Sequence, residues 1–384
     1  MPIGIRRLKF LGFEIPHSKF HISHFMSRAC RASLRHFATN RHEQYGLTAT
    51  LSYAVVVLSH LVCLVCLVCL VHLVSFFQPK NQTNETNKID QINQMNQINS
   101  SMAVVITGAS TGIGAACALD CAGRGMTVFA GVRDKRAGEA LATKGGPSLI
   151  PIMLDVTDVS TIMRSAEAVQ RVVGAEGLGG LVNNAGIVIG SPLEVIPLPQ
   201  LRKQLEVNVI GQIAVTQAFL PLLRRGRGRI VNMGSIAGRG TIPLLGPYSA
   251  SKYALEALTD ALRTELQPWG IQVSIIEPGA IATPIWEKSA KEAEGIEESA
   301  SDEAKALYGE AVVRIREAVA QAAQRAIPPD AVVRAVHHAL TASRPRTRYL
   351  VGTDARLRAW MVKWLPDRVQ DRLLVWALKY PRES

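Results

Sequence analysis

The sequence predicts an α/β fold, a doubly wound parallel sheet of short buried strands with helices on both faces. Three observations lead there. From Met102 onward, apolar runs of four to six residues alternate with longer helix-forming stretches, the pattern of parallel strands joined by helical crossovers. The first run, Ala103 to Ile106, passes through a glycine-rich turn, residues 107–114, into an Ala-rich helix, Ala115 to Ala122. The polar motifs of the chain gather where its strands end, which is where ligands sit in open sheets of this kind.

Three segments precede Met102. Residues 1–50 are basic and contain only Glu14 and Glu43 as acids. They read as an organelle transit peptide, as the flank of a membrane anchor, or as a disordered segment without a role. Leu51 to Phe77 holds no Asp, Glu, Lys or Arg over 27 residues, enough for a helix to cross a bilayer core of about 30 Å. Eight Lys/Arg stand before it and only Lys80 and Lys88 shortly after, so the positive-inside rule places the N-terminus in the cytosol. Residues 78–101 form a low-complexity linker of Asn, Gln, Ile and Thr, with glycosylation sequons at Asn81, Asn84 and Asn99. A methionine directly before the first strand also admits a working protein that begins at Met102. The expected location is membrane-associated, with the endoplasmic reticulum as one candidate, and cytoplasmic if the chain starts at Met102.

Net charge is +12, and ten Lys/Arg against four Asp/Glu put half of it in the first 101 residues. No basic stripe interleaved with aromatics supports nucleic-acid binding. No metal site is expected. Cys63, Cys66 and Cys69 lie three apart in an apolar tract without a convincing fourth ligand, and Cys117 and Cys121 read as core thiols.

Residues 102–384 are expected to form one domain. Its strands are Ala103 to Ile106, Thr127 to Val132, Leu149 to Leu154, Leu178 to Val182, Arg229 to Met233 and Ile271 to Ile276. Long helices are expected over Gln204 to Leu223 and Tyr248 to Leu266. In the glycine turn, Gly108 lets the chain turn as the strand ends, Gly112 clears the way for a close approach, and Gly114 lets the helix pack tightly. The helix N-terminus that follows offers free N–H groups to phosphates. The turn therefore reads as the opening of a dinucleotide-binding unit.

Tyr248-Ser-Ala-Ser-Lys252 carries the chemistry. Tyr248 and Lys252 are i and i+4 at a helix start and share a face. A nearby cation is expected to lower the tyrosine pKa toward neutrality, fitting the pair for proton transfer. Ser235, at the end of the preceding strand, is placed to hydrogen-bond a carbonyl or alcohol oxygen. Asn208 sits on the long helix, where such a residue caps or satisfies backbone, or in its functional reading holds a water beside the lysine.

These motifs together resemble the short-chain dehydrogenase/reductase family, with a Rossmann-type sheet. The match is T-G-x-x-x-G-I-G at 107–114, N-N-A-G at 183–186, N-V-x-G at 208–211, Ser235, Y-x-x-x-K at 248–252 and P-G at 278–279. The resemblance implies a catalytic set of Asn208, Ser235, Tyr248 and Lys252, with Tyr248 as acid/base and Lys252 also on the nicotinamide ribose. It implies a cofactor site of Gly108, Ser110, Thr111, Gly112, Ile113, Gly114, Arg133, Asp155, Val156, Asn184, Ala185, Gly186, Tyr248, Lys252, Pro278, Gly279 and Thr283. It further implies a homodimer through the two long helices.

NADP(H) is expected over NAD(H). An NAD site wants a carboxylate at the end of the second strand, but Val132 stands there and Arg133 follows, able to pair with a 2′-phosphate. Residues 284–326 resemble the family's substrate lid. The overall spacing is similar to the retinol and 17β-hydroxysteroid dehydrogenase branch, which implies a small lipophilic alcohol or ketone. A 3-ketoacyl reductase and a non-catalytic dinucleotide-binding membrane protein are the alternatives. Residues 357–380, with three tryptophans among basic residues, read as an amphipathic helix on a membrane, a packed terminal helix or a dimer contact.

Overall fold

The structure is a computed structural model. It describes residues 102–381 and, separately, two two-residue strands, Lys9–Phe10 and Phe13–Glu14, paired antiparallel. The expected membrane span, linker and sequons lie outside the described residues.

Seven parallel strands form the sheet: β1 (Ala103–Ile106), β2 (Thr127–Val132), β3 (Leu149–Met153), β4 (Gly180–Asn183), β5 (Arg229–Met233), β6 (Gln272–Pro278) and β7 (Arg348–Val351). Their spatial order is β3-β2-β1-β4-β5-β6-β7. The order reverses between β1 and β4, so a crevice opens at the C-terminal ends of those two strands. The central strands are aliphatic because both of their faces are covered.

Side-chain alternation along the strands divides the core in two. Val104, Ile106, Val128 and Val182 face helices α1 (Gly112–Gly123) and α9 (Asp330–Thr341), through Cys117, Cys121, Val332 and Val336. Val105, Phe129, Leu181 and Ile230 face α3 (Val159–Val173) and α5 (Gly211–Gly226), through Ile162, Val169, Val215 and Phe219. Cys117 and Cys121 are buried free thiols whose pKa values burial pushes up, that of Cys121 to about 12. They are packing groups, as expected.

Helix starts follow local chemistry. Asp134 caps α2 (Lys135–Gly145) by accepting from Ala137 N at 2.8 Å. Asp158 caps α3 by accepting from Ser160 N at 2.8 Å, and each such cap contributes about 1 kcal/mol.

The structure corrects four expectations. The long helix from Gln204 is three pieces: α4 (Leu198–Leu205), a π-helical turn (Glu206–Ile210) and α5. The whole run, residues 198–226, is apolar enough to cross a membrane by length and composition, but its buried residues pack on the sheet. The second long helix, α6, runs Gly246–Glu265, starting two residues earlier with Pro247 in its first turn. A seventh strand, β7, was not foreseen. The C-terminal stretch is two helices, α10 (Thr353–Trp364) and α11 (Asp367–Ala377), because Pro366 cannot continue the first. Residues 284–326 contain α7 (Ile285–Glu298) and α8 (Asp302–Gln324).

Candidate active site

The glycine turn is rigid for identifiable reasons. Gly108 and Gly112 have φ of 62° and 60°, the left-handed region that side chains disfavour. A Cβ on Gly108 would stand 2.8 Å from Ala185 Cα, and one on Gly114 would stand 2.3 Å from Gly108 O. Gly114 thus lets α1 close on the turn itself rather than on the sheet at large. Thr107 Oγ1 accepts from the main-chain nitrogens of Asn184 and Ala185, both at 3.0 Å. Asn184 Nδ2 returns bonds to the carbonyls of Thr107 (3.0 Å) and Gly108 (3.1 Å). The N-N-A-G segment is therefore the second wall of the turn.

Below it, a buried polar ladder crosses the sheet. Asn183 and Asn232 lie opposite each other in β4 and β5. Asn183 Nδ2 donates to Asn232 Oδ1 (3.0 Å) and Thr216 Oγ1 (2.9 Å), and Asn232 Nδ2 donates to Thr259 Oγ1 (2.9 Å). The sequence marks Asn183 only as part of the N-N-A-G motif and Asn232 only as the start of the stretch that holds Ser235. The signal was an asparagine inside each of two aliphatic strands.

Past the end of β5, Ser235 sits with extended backbone and opens a one-turn 3-10 helix, Ile236–Gly238. Tyr248 lies in the first turns of α6, and burial raises its pKa while a hydrogen bond with Ser235 acts to lower it. Lys252 is buried, donates to Met233 O at 2.7 Å, and has Nζ 5.7 Å from the Tyr248 ring centre. Burial lowers its pKa to about 8, against the attraction of Glu256. The tyrosine is therefore raised rather than lowered, because burial acts on both groups in the direction of the neutral form.

Asn208, in the π-helical turn, is fully buried. Its Oδ1 accepts from Ile187 N (2.9 Å), and its Nδ2 donates to Ile187 O (3.0 Å) and Ser251 Oγ (3.0 Å). Ser251 in turn donates to Tyr248 O at 2.6 Å. The extra residue of a π turn rotates Asn208 into this position. Its side chain braces the start of α6.

A cavity of about 910 Å³ runs along the C-terminal ends of the strands. Ser235, Tyr248 and Lys252 line it, as do Gly108, Ser110, Thr111, Gly112, Ile113, Arg133, Asp155, Val156, Asn184, Ala185, Gly186, Pro278, Gly279 and Thr283. Gly114 and Asn208 stand behind the wall. Asp134 is spent as the α2 cap, which leaves Arg133 as the charged side chain at the end of β2. Asp354, unremarked in the sequence, accepts from Ala280 N at 2.7 Å and fixes the P-G segment. Lys288 on α7 reaches back to Thr111 Oγ1 at 3.4 Å. No group of metal ligands occurs among the described residues.

The residues fit a dinucleotide. The α1 N-terminus carries no acidic residue in its first turn and no side-chain cap, and the glycines leave a cradle that a Cβ would fill.

A sheet of this order with Ser, Tyr and Lys at its crevice defines a nicotinamide-type α/β oxidoreductase. Residues 102–294 match the family model for short chain dehydrogenase. The chain belongs to the short-chain dehydrogenase/reductase family, oxidoreductases acting on alcohol and carbonyl groups. It is 35% identical over 280 residues to an NADPH-dependent 3-dehydrocapnine reductase of Ornithobacterium rhinotracheale, covering 72% of this chain and 96% of that one. It is 38% identical over 288 residues to retinol dehydrogenase 5 of Mus musculus, covering 73% and 90%. A Burkholderia cenocepacia short chain dehydrogenase in complex with NADP superposes with TM-score 0.55 at 27% identity, covering 73% and 98%. One from Burkholderia phymatum in complex with NAD shares the fold, with TM-score 0.58 at 24% identity over 68% and 94%.

Proposed function

We propose that this protein is an NADP(H)-dependent oxidoreductase that interconverts an alcohol and a carbonyl on a small lipophilic molecule. The observation that carries the reading is the joint placement of Ser235, Tyr248 and Lys252 on one wall of a cavity that begins at the glycine turn. NADP(H), when bound, supplies or takes the hydride. The glycine turn and the α1 N-terminus hold its pyrophosphate. Arg133 pairs with the 2′-phosphate, and Asp155 and Val156 flank the adenine. Thr283 and the Pro278-Gly279 segment lie along the nicotinamide end, and Lys252 binds the nicotinamide ribose.

In the reducing direction Ser235 Oγ holds the carbonyl oxygen and Tyr248 gives its proton to the forming alkoxide. The burial that keeps Tyr248 protonated suits it to that task. Lys252, near neutrality between its two charge states, can return a proton to the tyrosine.

The rest of the cavity supports the substrate class. Val195, Ile242, Trp286, Val312, Ile315 and Val319 line it, and α7 and α8 form the lid. The relatives include retinol dehydrogenases, which supports a retinoid- or steroid-like substrate. The 3-ketoacyl alternative differs in needing an acyl thioester. Contact with a membrane is supported by α10 and α11, where Leu357, Trp360 and Trp364, and then Val369, Leu373 and Trp376, recur at helical spacing on exposed faces. The three tryptophans are 55%, 63% and 76% exposed. A homodimer through α5 and α6 completes the proposal.

The test is NADPH oxidation by the full-length protein on retinal, steroid ketones and 3-ketoacyl thioesters. Turnover on retinal or a steroid is expected. Turnover on thioesters alone replaces the substrate class, and tight NADPH binding without any turnover favours the non-catalytic alternative.

A further inference from the structure

Behind the candidate site lies a buried ion pair that the proposed chemistry does not use. Glu277, at the end of β6, is fully buried, and Arg239 grips it with Nε to Oε1 at 2.5 Å and Nη2 to Oε2 at 3.0 Å. One planar fork holds both carboxylate oxygens, a geometry that fixes direction as well as distance. The arginine side chain is 32% exposed, whereas the glutamate is sealed. The other cations nearby are committed elsewhere. Arg348 holds Glu256 and Asp260, Lys252 donates to Met233 O, and Arg358 donates to Thr241 O. Arg239 is therefore the one cation on Glu277 among the described residues.

The pair joins two parts of the cavity wall that are far apart in sequence. Arg239 ends the one-turn helix that Ser235 opens, and Glu277 leads directly into Pro278-Gly279. Inside the turn, Ser235 Oγ accepts from Ala237 N at 3.2 Å, and Gly238 N donates to Ser235 O at 2.9 Å. The aim of the Ser235 hydroxyl thus depends on how the turn sits. On one side the turn meets α6. A Cβ on Gly238 would stand 2.9 Å from Lys252 O, and Tyr253 donates its hydroxyl to Arg239 O. On the other side the Arg239 fork ties the end of the turn to the end of β6.

We propose that Arg239 is a positioning residue: its fork on Glu277 sets the Ser235 hydroxyl against the Pro278-Gly279 edge of the cavity, and so the substrate oxygen against the nicotinamide. The proposal rests on the reading of Ser235 as the residue that holds that oxygen. Loss of the fork leaves a sealed carboxylate without its cation and lets the turn drift. A drift of about 1 Å is costly to a reacting geometry and matters little to a cofactor held at its phosphates.

The test uses full-length protein carrying Arg239→Met, Glu277→Gln or Ser235→Ala, and each of the first two combined with the third. Turnover is followed as product, and NADPH affinity by fluorescence titration. Arg239→Met is expected to lower kcat by about 10- to 100-fold while NADPH affinity stays within about threefold of wild type. Glu277→Gln keeps one acceptor for the fork and should lower kcat by about 3- to 10-fold. In the Ser235→Ala background both costs should shrink to about twofold or less, because a tether acting through Ser235 has nothing left to position. Equal costs in the two backgrounds overturn the proposal, since a general loosening of the fold does not need Ser235. A fully active Arg239→Met overturns it as well. If Arg239→Met does not fold, Glu277→Gln completes the same cycle, because its isosteric amide leaves only a part-exposed guanidinium short of one bond. Hydrogen exchange needs no substrate. In Glu277→Gln the amides of Ala237, Gly238 and Arg239 should exchange about tenfold faster than in wild type, with those of β5 unchanged. Unchanged exchange in the turn overturns the tether. Faster exchange in a protein whose wild type turns over no ketone or aldehyde upholds the tether and puts the fault in the reading of Ser235.

Discussion

Lys252 should make the protein less stable at neutral pH than it would be without a charge there, and the size of the effect follows from the structure. Its ammonium is buried, anchored on Met233 O at 2.7 Å, and its pKa is lowered to about 8. The drop from the ordinary lysine value corresponds to roughly 3 kcal/mol of cost for holding the cation inside. The sign follows from proton counts. Between about pH 8 and the ordinary lysine value near 10.4, the unfolded chain binds the proton and the folded chain does not, so this group makes stability rise with pH. Lys252→Met removes the cation but orphans the Met233 carbonyl, at a cost of about 1–3 kcal/mol. At pH 7 the variant should therefore be at least as stable as wild type, by up to about 2 kcal/mol. By pH 10 wild type should have regained most of the roughly 3 kcal/mol and be the more stable of the two. The assay is urea unfolding of both proteins at several pH values, with turnover measured alongside. A stability difference that does not change between pH 7 and pH 10 would refute the argument, because the lysine would then keep its ordinary pKa.

Tyr248→Phe should lower turnover by about 10²–10⁴-fold, the usual weight of a general acid, and leave NADPH binding by fluorescence titration nearly intact; wild-type activity would sink the assignment. Arg133→Ala should weaken NADPH by about 10- to 100-fold through loss of a charge-assisted pair while NADH affinity hardly moves, and equal losses for the two would place Arg133 away from the 2′-phosphate. Gly114→Ala should abolish binding of both cofactors or unfold the domain, as its Cβ would meet Gly108 O at 2.3 Å and Asn184 Nδ2 at 2.5 Å; paired melting curves and titrations distinguish the two results.

Much of the sheet was legible because buried parallel strands are apolar runs with sharp edges. Thr127–Val132 and Arg229–Met233 match residue for residue. β7 was not, because Arg-Tyr-Leu-Val is a short edge strand whose arginine turns to Glu256 and Asp260, so it lacks the continuous apolar signal. The π turn within the predicted long helix has no composition of its own; tertiary bonds made by Asn208 sustain it. The wall of the cavity was legible where glycines and the Tyr-Lys spacing marked it. Asp354 and the Arg239–Glu277 ion pair were not, since they act across long stretches of chain and only folding brings them together.

The asparagine ladder under the site bears on how the sheet is assembled. Aliphatic strands packed on both faces tell one register from the next weakly, because Val, Ile and Leu are nearly interchangeable in an oily interior. Asn183 and Asn232 do not have that tolerance. A slip of one residue between β4 and β5 would turn an amide to the opposite face and strand several polar atoms in a dry core, at about 1–3 kcal/mol each. The pair thus acts as a notch and pawl that sets the height at which two loops leave the sheet, one bearing Asn184 to Gly186 and the other Ser235. The two ends of the cavity are levelled against each other by strand register, through bonds that involve neither lid helix.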